Sequence, residues 1–380
     1  MTAPDSAARI SVAHLLLPAA FGGLQRVVHL LSGELVRLGH RVTVGVLSLP
    51  GGAAEEYASL LRGEGLSADC IPVKGRGYMA ERRDVRAWLR RVAPDVLHTH
   101  GYRPLVVDAP VARRLGVATV TTFHGFCGNS LRERLYEGLE VRAARHAARV
   151  IGVSRRIGAR LERGGVAPQR IAFVPNALPE REPPMDKDAA RRALGIRDDL
   201  FVFGWVGRLS REKGPDVALR AHSLLGPPRP LLAVIGDGVE GPALRALSRR
   251  LGTVDEVVWL GALPEAHRSF RAFDGLVLSS RSEGTPMVLL EAAHAQVPIV
   301  AARVGEVAEV TGEDGALLVE PERPELLAAA MDSAMSSPGL TTERARRARD
   351  RVAALFSGAT WVERHLAVYV DAIRAGRAGG

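Results

Sequence analysis

Short apolar runs alternate along this chain with longer stretches whose apolar positions recur at helical spacing. Ile10 to Leu17 reads as a first strand, after which Leu24, Val27, Val28, Leu31, Leu35 and Leu38 fall on one helical face until Gly39 stops it. Further strands are predicted at Arg41 to Leu47, Asp95 to His100, Val117 to Phe123, Arg149 to Val153 and Ile171 to Val174, with basic helices at Leu131 to Arg149 and Arg155 to Arg163. Residues 179–187, Pro-Glu-Arg-Glu-Pro-Pro-Met-Asp-Lys, are a linker by composition. The pattern then restarts, with strands at Phe201 to Val206, Leu231 to Ile235, Val257 to Leu260, Asp274 to Ser280, Pro298 to Ala301 and Ala316 to Val319. Runs this continuous suit strands buried on both faces, and their alternation with helices predicts α/β architecture with two parallel, Rossmann-like sheets. The expected division is 1–180, 188–355 and a last helical segment, 356–376, that carries Trp361, Leu366 and Tyr369.

The stretch richest in candidate chemistry is Ser282-Glu283-Gly284-Thr285-Pro286-Met287-Val288-Leu289-Leu290-Glu291. It follows a buried strand, and the expected order is strand, loop, helix. Thr285 is a good N-cap and Pro286 suits the first helical position. The amides of Met287 and Val288 would then lack intrahelical partners and offer a seat for a phosphate. Glu291 would stand about 7 Å further along the helix, one sugar's length away, and Glu283 would flank the seat from the loop. Two carboxylates that bracket an anion site suit a nucleotide sugar, because each can accept hydrogen bonds from a pair of hydroxyls.

Other loops add to this. Arg208 and Lys213, on one loop after the strand at 201–206, offer a fork and a point charge to two adjacent phosphates. Gly236-Asp237-Gly238 follows the next strand and is expected to wall the base. Gly22-Gly23 marks either a tight turn or a close approach of backbone to phosphate. No G-x-G-x-x-G fingerprint is present, and the second strand does not end in an acidic residue, which disfavours a nicotinamide enzyme. His98 and His100 share one side of their strand; without further ligands they read as satisfied polar residues rather than a metal site. His124 ends the strand Val117 to Phe123, where open α/β sheets bind ligands.

The spacing of Glu283 and Glu291, with Gly284 and Pro286 inside it, resembles the signature of family 4 retaining glycosyltransferases of the GT-B fold. Gly22-Gly23, Thr122-Phe123-His124-Gly125, Gly152-Val153-Ser154, Val174-Pro175-Asn176, Gly207-Arg208-Leu209 with Lys213-Gly214, and Gly236-Asp237-Gly238 agree in order over nearly the whole chain. Where many family members continue with glycine and aspartate, this chain has Ala177-Leu178-Pro179. The resemblance implies two domains that face across a cleft, with the acceptor on the N-terminal one, the nucleotide sugar on the C-terminal one, and the last helix crossing back to the first domain. It also implies that His124 meets the sugar being transferred and that the anomeric configuration is retained by a same-face route. Charge stabilisation at the diphosphate would come from Arg208, Lys213 and the helix end near Pro286, with no metal and no cofactor. A UDP-sugar is the favoured donor, GDP-mannose the next, and a glycan or lipid-linked acceptor of the cell envelope or exopolysaccharide is expected.

Composition is that of a water-soluble globular protein, 47% apolar and 24% charged. Ile10 to Ala20 is short, broken by His14 and Pro18 and preceded by Asp5, so it reads as a strand rather than a leader. Two cysteines, Cys70 and Cys127, fit a reducing compartment, and a cytoplasmic location is expected. The net charge of +9 is uneven: residues 1–180 hold 25 Lys and Arg against 15 Asp and Glu, whereas residues 181–380 hold 26 against 27. Arg132, Arg134, Arg142, Arg145 and Arg149, if they line one exposed helix, would draw the protein to an anionic inner membrane face; a merely solvated helix face is the alternative. Nucleic acid is disfavoured, because no aromatic residues interleave with the arginines.

Three rivals share parts of this pattern. A sugar-nucleotide 2-epimerase would need acid and base carboxylates where the N-terminal half offers histidines. A glycogen-type phosphorylase would need a pyridoxal lysine, and no lysine follows Lys213. A non-catalytic nucleotide-sugar-binding partner would have no reason to keep Arg208, Lys213, Glu283 and Glu291 together.

Overall fold

The computed structural model describes residues 9–18, 23–50, 53–75, 77–125, 131–179, 183–263 and 265–378. The chain divides into two compact units, Met1–Pro175 with Gly358–Gly380, and Asn176–Ser357.

In the first unit the strands are β1 (Ser11–Leu16), β2 (Arg41–Ser48), β3 (Ser67–Pro72), β4 (Val96–His100), β5 (Ala118–Phe123), β6 (Arg149–Gly152) and β7 (Ile171–Phe173). The helices between them are α1 (Gly23–Arg37), α2 (Ala54–Gly63), α3 (Tyr78–Val92), α4 (Ala109–Arg114), α5 (Leu131–Ala144) and α6 (Arg155–Arg163). All seven strands are parallel, in the order β3-β2-β1-β4-β5-β6-β7. Consecutive strands run outward from β1 and then from β4, so the order reverses between those two. That pair is the topological switch point, beyond whose carboxyl ends such sheets bind ligands. The edge strand β3 escaped the hydrophobic pattern because only Ala68 and Ile71 of its six residues are buried.

The second unit repeats the plan. After α7 (Lys187–Leu194) come β8 (Val202–Val206), α8 (Pro215–Ser223), β9 (Leu231–Ile235), α9 (Gly241–Leu251), β10 (Val257–Gly261), β11 (Gly275–Leu278), α10 (Met287–His294) and β12 (Ile299–Ala302). Then follow α11 (Val307–Thr311), β13 (Leu317–Val319), α12 (Pro324–Ser336) and α13 (Pro338–Leu355). Its six parallel strands take the order β10-β9-β8-β11-β12-β13, so the reversal falls between β8 and β11. The core on one side of this sheet joins Phe203 and Trp205 to Val217, Leu232, Val277, Val300 and Met331. The last helix, α14 (Gly358–Ala378), packs on β4, β5, β6 and α1 of the first unit. Trp361, Val362, Tyr369 and Ala372 are buried there.

Two local expectations need correction. α5 ends at Ala144 rather than Arg149, because the amides of His146 and Ala147 close tight turns onto Ala143 and Ala144 and the amide of Ala148 is drawn to Thr119 O of β5. Arg145 then folds back, its guanidinium donating to Gly164 O at 2.8 and 2.6 Å, and Arg149 lies in β6. The five arginines therefore do not share one helix. Second, α10 begins at Met287, and Pro286 is its N-cap at φ −74° and ψ 118°, in place of Thr285. The extended ψ of Pro286 holds it outside the helix, and it offers no side-chain cap.

Candidate active site

In the second unit, the predicted residues gather at the carboxyl ends of β8, β9 and β11. The loop after β8 is pinned from both sides: Gly207 N–H donates to Ile235 O at 3.0 Å and Leu209 N–H to Asp237 O at 2.9 Å. Gly236 allows this approach, since at its φ of +144° a Cβ would stand 1.8 Å from Gly207 O. Arg208 points outward, half exposed, and pairs with Glu212 at 2.9 Å. Asp237 accepts from Gly238 N–H at 2.7 Å, which orders the β9 loop beside it.

Lys213 ends a single tight turn, Arg211–Lys213, and its Nζ donates to both oxygens of Glu283, at 2.8 and 2.7 Å. Ser280 Oγ donates to the same carboxylate at 2.7 Å. Behind them Trp205 Nε1 donates to Ser279 Oγ at 3.0 Å, and Ser279 Oγ donates to Gly214 O at 2.6 Å, so the β11 end and the β8 loop are tied together. Both cations thus lie on one loop, each beside a carboxylate. Glu283 is engaged by Lys213 and Ser280, an arrangement in which it orients the lysine.

The amides of Met287 and Val288 open α10, and Glu291 sits half-buried one turn on. Thr285 is buried, and its carbonyl accepts from Asn176 Nδ2 at 2.9 Å, which explains the asparagine of Val174-Pro175-Asn176.

Sequence reasoning missed two supports. Arg281 clasps Asp216 with two bonds, 2.8 and 2.9 Å, and reaches Glu322 at 2.8 Å and Arg211 O at 2.8 Å, so it fixes the loop that carries Lys213. Burial pushes the Asp216 carboxyl up, but Arg281 more than offsets this and holds it below the usual range. Gly305, at φ +55°, lies against Glu283 O, where a Cβ would stand at 2.1 Å, and Glu306 N–H donates to Gly284 O at 3.2 Å.

In the first unit, Gly22 lies outside the described residues. Gly23 opens α1, exposed, with room for a Cβ, so no close packing accounts for it. His124 stands just past β5, half-buried, and belongs to a larger group than the pattern revealed: His14, His98, His100, His124 and His365. His98 is closed off, with Nδ1 against Tyr369 OH at 2.8 Å and Nε2 against Thr122 Oγ1 at 2.7 Å. His14, His98 and His100 bring ring nitrogens within 4.8 Å of one another, the composition of a metal site. His98 has both nitrogens committed to other partners, however, so the trio does not offer three free nitrogens to one ion and reads as a buried polar cluster. Burial drives every one of these imidazoles toward the neutral form, to a pKa of about 3 for His14 and about 4 for His124 and His365. Nearby, Glu81 is buried against Arg103, and Asp108 is buried with no hydrogen-bond partner for either oxygen among the described residues. Burial, then the charge of Glu81, pushes Asp108 up to about 8.

Two Rossmann-like units of parallel sheet, with candidate anion-binding loops at the carboxyl end of one, have the architecture of the GT-B glycosyltransferases. Residues 21–181 match the family model described as Glycosyltransferase Family 4, and residues 186–351 match that of Glycosyl transferases group 1. A D-inositol 3-phosphate glycosyltransferase of Acidothermus cellulolyticus is 32% identical over 340 residues, 82% of this chain and 74% of the relative. The chain belongs to glycosyltransferase family 4. Among solved structures, Anabaena HepE in complex with UDP-glucose shares the fold with a TM-score of 0.83 at 20% identity, covering 94% of this chain and 100% of that one. WaaG, a glycosyltransferase involved in lipopolysaccharide biosynthesis, does so with a TM-score of 0.75 at 19% identity, covering 94% and 99%.

Proposed function

We propose that this glycosyltransferase moves a sugar from a nucleotide diphosphate sugar, a UDP-sugar in the first instance, to a hydroxyl of a glycan or lipid-linked acceptor, with retention and without a metal. The observation that carries the reading is the joint placement of Arg208, Lys213 and the start of α10 beyond the carboxyl ends of β8 and β11. Three sources of positive potential in one unit suit a diphosphate whose charge grows as the sugar leaves. In this reading Arg208 forks onto one phosphate and Lys213 meets the other, while the amides of Met287 and Val288 take the remaining oxygens. Glu283 holds Lys213 in place and Glu291 meets the ribose. Gly236 and Asp237 wall the base, and His124 meets the transferred sugar.

UDP is favoured because HepE binds UDP-glucose; GDP-mannose is the next candidate. The relative's D-inositol 3-phosphate supplies the first soluble acceptor to try, and the part WaaG plays in lipopolysaccharide synthesis supports a lipid-linked one made at the inner membrane face. Among the described residues no helix is long and apolar enough to cross a membrane; the attachment proposed is a peripheral one. The test is nucleotide release: purified protein is incubated with UDP-glucose, other UDP-sugars and GDP-mannose, each with and without acceptor. Acceptor-dependent release with an α-linked product from an α-linked donor is expected. Thermal stabilisation by a donor without acceptor-dependent nucleotide release would leave the binding-partner or epimerase reading instead.

A further inference from the structure

The histidines of the first unit form two networks of different character. One is closed: His98 is satisfied by Tyr369 and Thr122. The other is a chain that runs from the interior toward the surface. His14 Nδ1 lies 3.0 Å from His100 Nε2, and His100 Nδ1 lies 3.2 Å from His124 Nε2. The inner end, His14 Nε2, is buried and has no hydrogen-bond partner among the described residues. The outer end, His124, is half-buried beyond β5.

A chain of neutral imidazoles has a direction. Each ring carries one N–H, so each link has one donor and one acceptor, and a choice at one end sets every tautomer to the other. At the inner end, Nε2 must be either a bare lone pair or an N–H, without a partner in either case. Buried N–H groups without partners are rarer than under-used acceptors. The direction with the bare lone pair inside is therefore favoured: His14 Nδ1–H donates to His100 Nε2, and His100 Nδ1–H donates to His124 Nε2. His124 is then left with its proton on Nδ1.

We propose that His100, anchored by His14, is a positioning residue that fixes His124 as a neutral imidazole with its proton on Nδ1, a hydrogen-bond donor aimed at an acceptor oxygen of the transferred sugar. The tautomer assignment stands on the chain alone; only its use toward a sugar rests on the reading of His124 given above. The rings facing the chain are His98 of β4, 5.2 Å from His14 and 4.1 Å from His100 between centroids, and His365 of α14, 6.2 Å from His98. Tyr369 of α14 faces His98 through its hydroxyl. Burial keeps all of these neutral, so the direction of the chain is maintained through the physiological range.

The test is nitrogen NMR on the full chain labelled with ¹⁵N-histidine, with His124 assigned by comparison with His124→Asn. At pH 7.5 the wild type is expected to show His14, His100 and His124 each neutral and protonated on Nδ1. His100→Phe keeps a ring but removes the donor, and His124 should then populate the Nε2–H form. His100→Asn places an amide near the position of Nδ1 and should restore the Nδ1–H form. With UDP-glucose as probe, kcat for nucleotide release should fall about tenfold in the Phe variant and stay within about twofold of wild type in the Asn variant, with KM little changed in both. Wild-type His124 found protonated on Nε2, or unaltered by His100→Phe, overturns the proposal. If the Phe variant does not fold, the wild-type spectrum still decides the tautomer. Tautomers as expected in a protein that releases no nucleotide from any donor would overturn the sugar contact and leave the relay standing.

Discussion

Lys213 Nζ stands 2.8 and 2.7 Å from the two carboxylate oxygens of Glu283, whose side chain is only 5% exposed. The lysine thus serves two ends: it is proposed to meet a phosphate, and it neutralises a buried carboxylate. Arg208 differs, since its side chain is 48% exposed and its partner Glu212 is four residues on in the same loop. Lys213→Ala should therefore cost about 3 kcal/mol of stability, because it leaves an uncompensated buried charge, along with 2 to 4 kcal/mol or so of transition-state stabilisation. Arg208→Ala should lose a similar amount of transition-state stabilisation with a barely altered Tm. Melting curves and kcat/KM on both variants decide; equal melting shifts would mean that the Lys213–Glu283 pair is not the buried tie it is taken for.

Metal removal offers a second test. In the proposed reading, two cations and a helix start supply the positive charge that Mg²⁺ supplies in other phosphate chemistry. Activity after exhaustive EDTA treatment should remain within about twofold of the untreated enzyme, a change of about 0.4 kcal/mol in the barrier. A strict Mn²⁺ or Mg²⁺ requirement would show that Arg208 and Lys213 do not carry the diphosphate.

Stability should fall steeply in mild acid. His14, His98, His100 and His365 are buried, and burial holds all four below the ordinary imidazole pKa of 6.5. As pH falls below 6.5 the unfolded chain takes up protons that the folded one refuses, so each group costs up to about 1.4 kcal/mol per pH unit until its folded pKa is reached. Asp108 works the other way: its folded pKa of about 8 lies above the unfolded value of 3.8, so its contribution is full below pH 3.8 and is lost as pH rises to 8. Four histidines outweigh one aspartate between pH 6.5 and 4.5, so Tm should drop over that window. Asp108→Asn should raise Tm at pH 8 relative to wild type, with the gain shrinking toward pH 4. A flat Tm from pH 7 to 4.5 would contradict the burial of the histidines.

What the sequence could and could not disclose follows from sequence separation. Strands such as Leu231–Ile235 stand where their apolar runs end, because a parallel strand buried on both faces leaves a continuous signal. Arg208, Lys213 and Glu283 were legible because the loop after each strand must place them near the carboxyl end of the sheet. Arg281 and Asp216 are 65 residues apart, and nothing local in either marks the pair. The histidine group illustrates the same limit. His14 pairs in register with His98 only because β1 lies beside β4, so the cluster becomes readable once the strand order is known. The start of α10 slipped by one residue because Thr285 and Pro286 are both acceptable N-terminal residues, and only the backbone angle at Pro286 chooses between them.

The last prediction concerns a membrane surface, and the fold recasts it. With Arg145 and Arg149 off α5, a single basic helix face no longer carries the argument. A different surface of the first unit does. Met79 is 77% exposed on the first turn of α3 beside Tyr78, and Leu135 is 63% exposed on α5 beside Tyr136 and Leu139. Two ring contacts support these residues from the β4 end: Arg103 lies 5.2 Å over the Tyr78 ring, and the Tyr102 ring packs, tilted, 4.9 Å from that of Tyr136. Exposed arginines on the same two helices, Arg83 and Arg86 on α3 and Arg142 on α5, add positive charge. Apolar side chains rimmed by arginine suit the headgroup region of an anionic bilayer, where each arginine contributes about 1 kcal/mol and salt weakens the attraction. The protein should float with vesicles that contain anionic lipid at low salt, much less at moderate salt, and not with neutral vesicles. Met79→Glu with Leu135→Glu should abolish flotation, and Arg86→Glu with Arg142→Glu should weaken it, while nucleotide release with a water-soluble acceptor stays near wild type. Flotation that is indifferent to lipid charge or to these substitutions would rule out this surface as the attachment site. A soluble acceptor would then be the better reading.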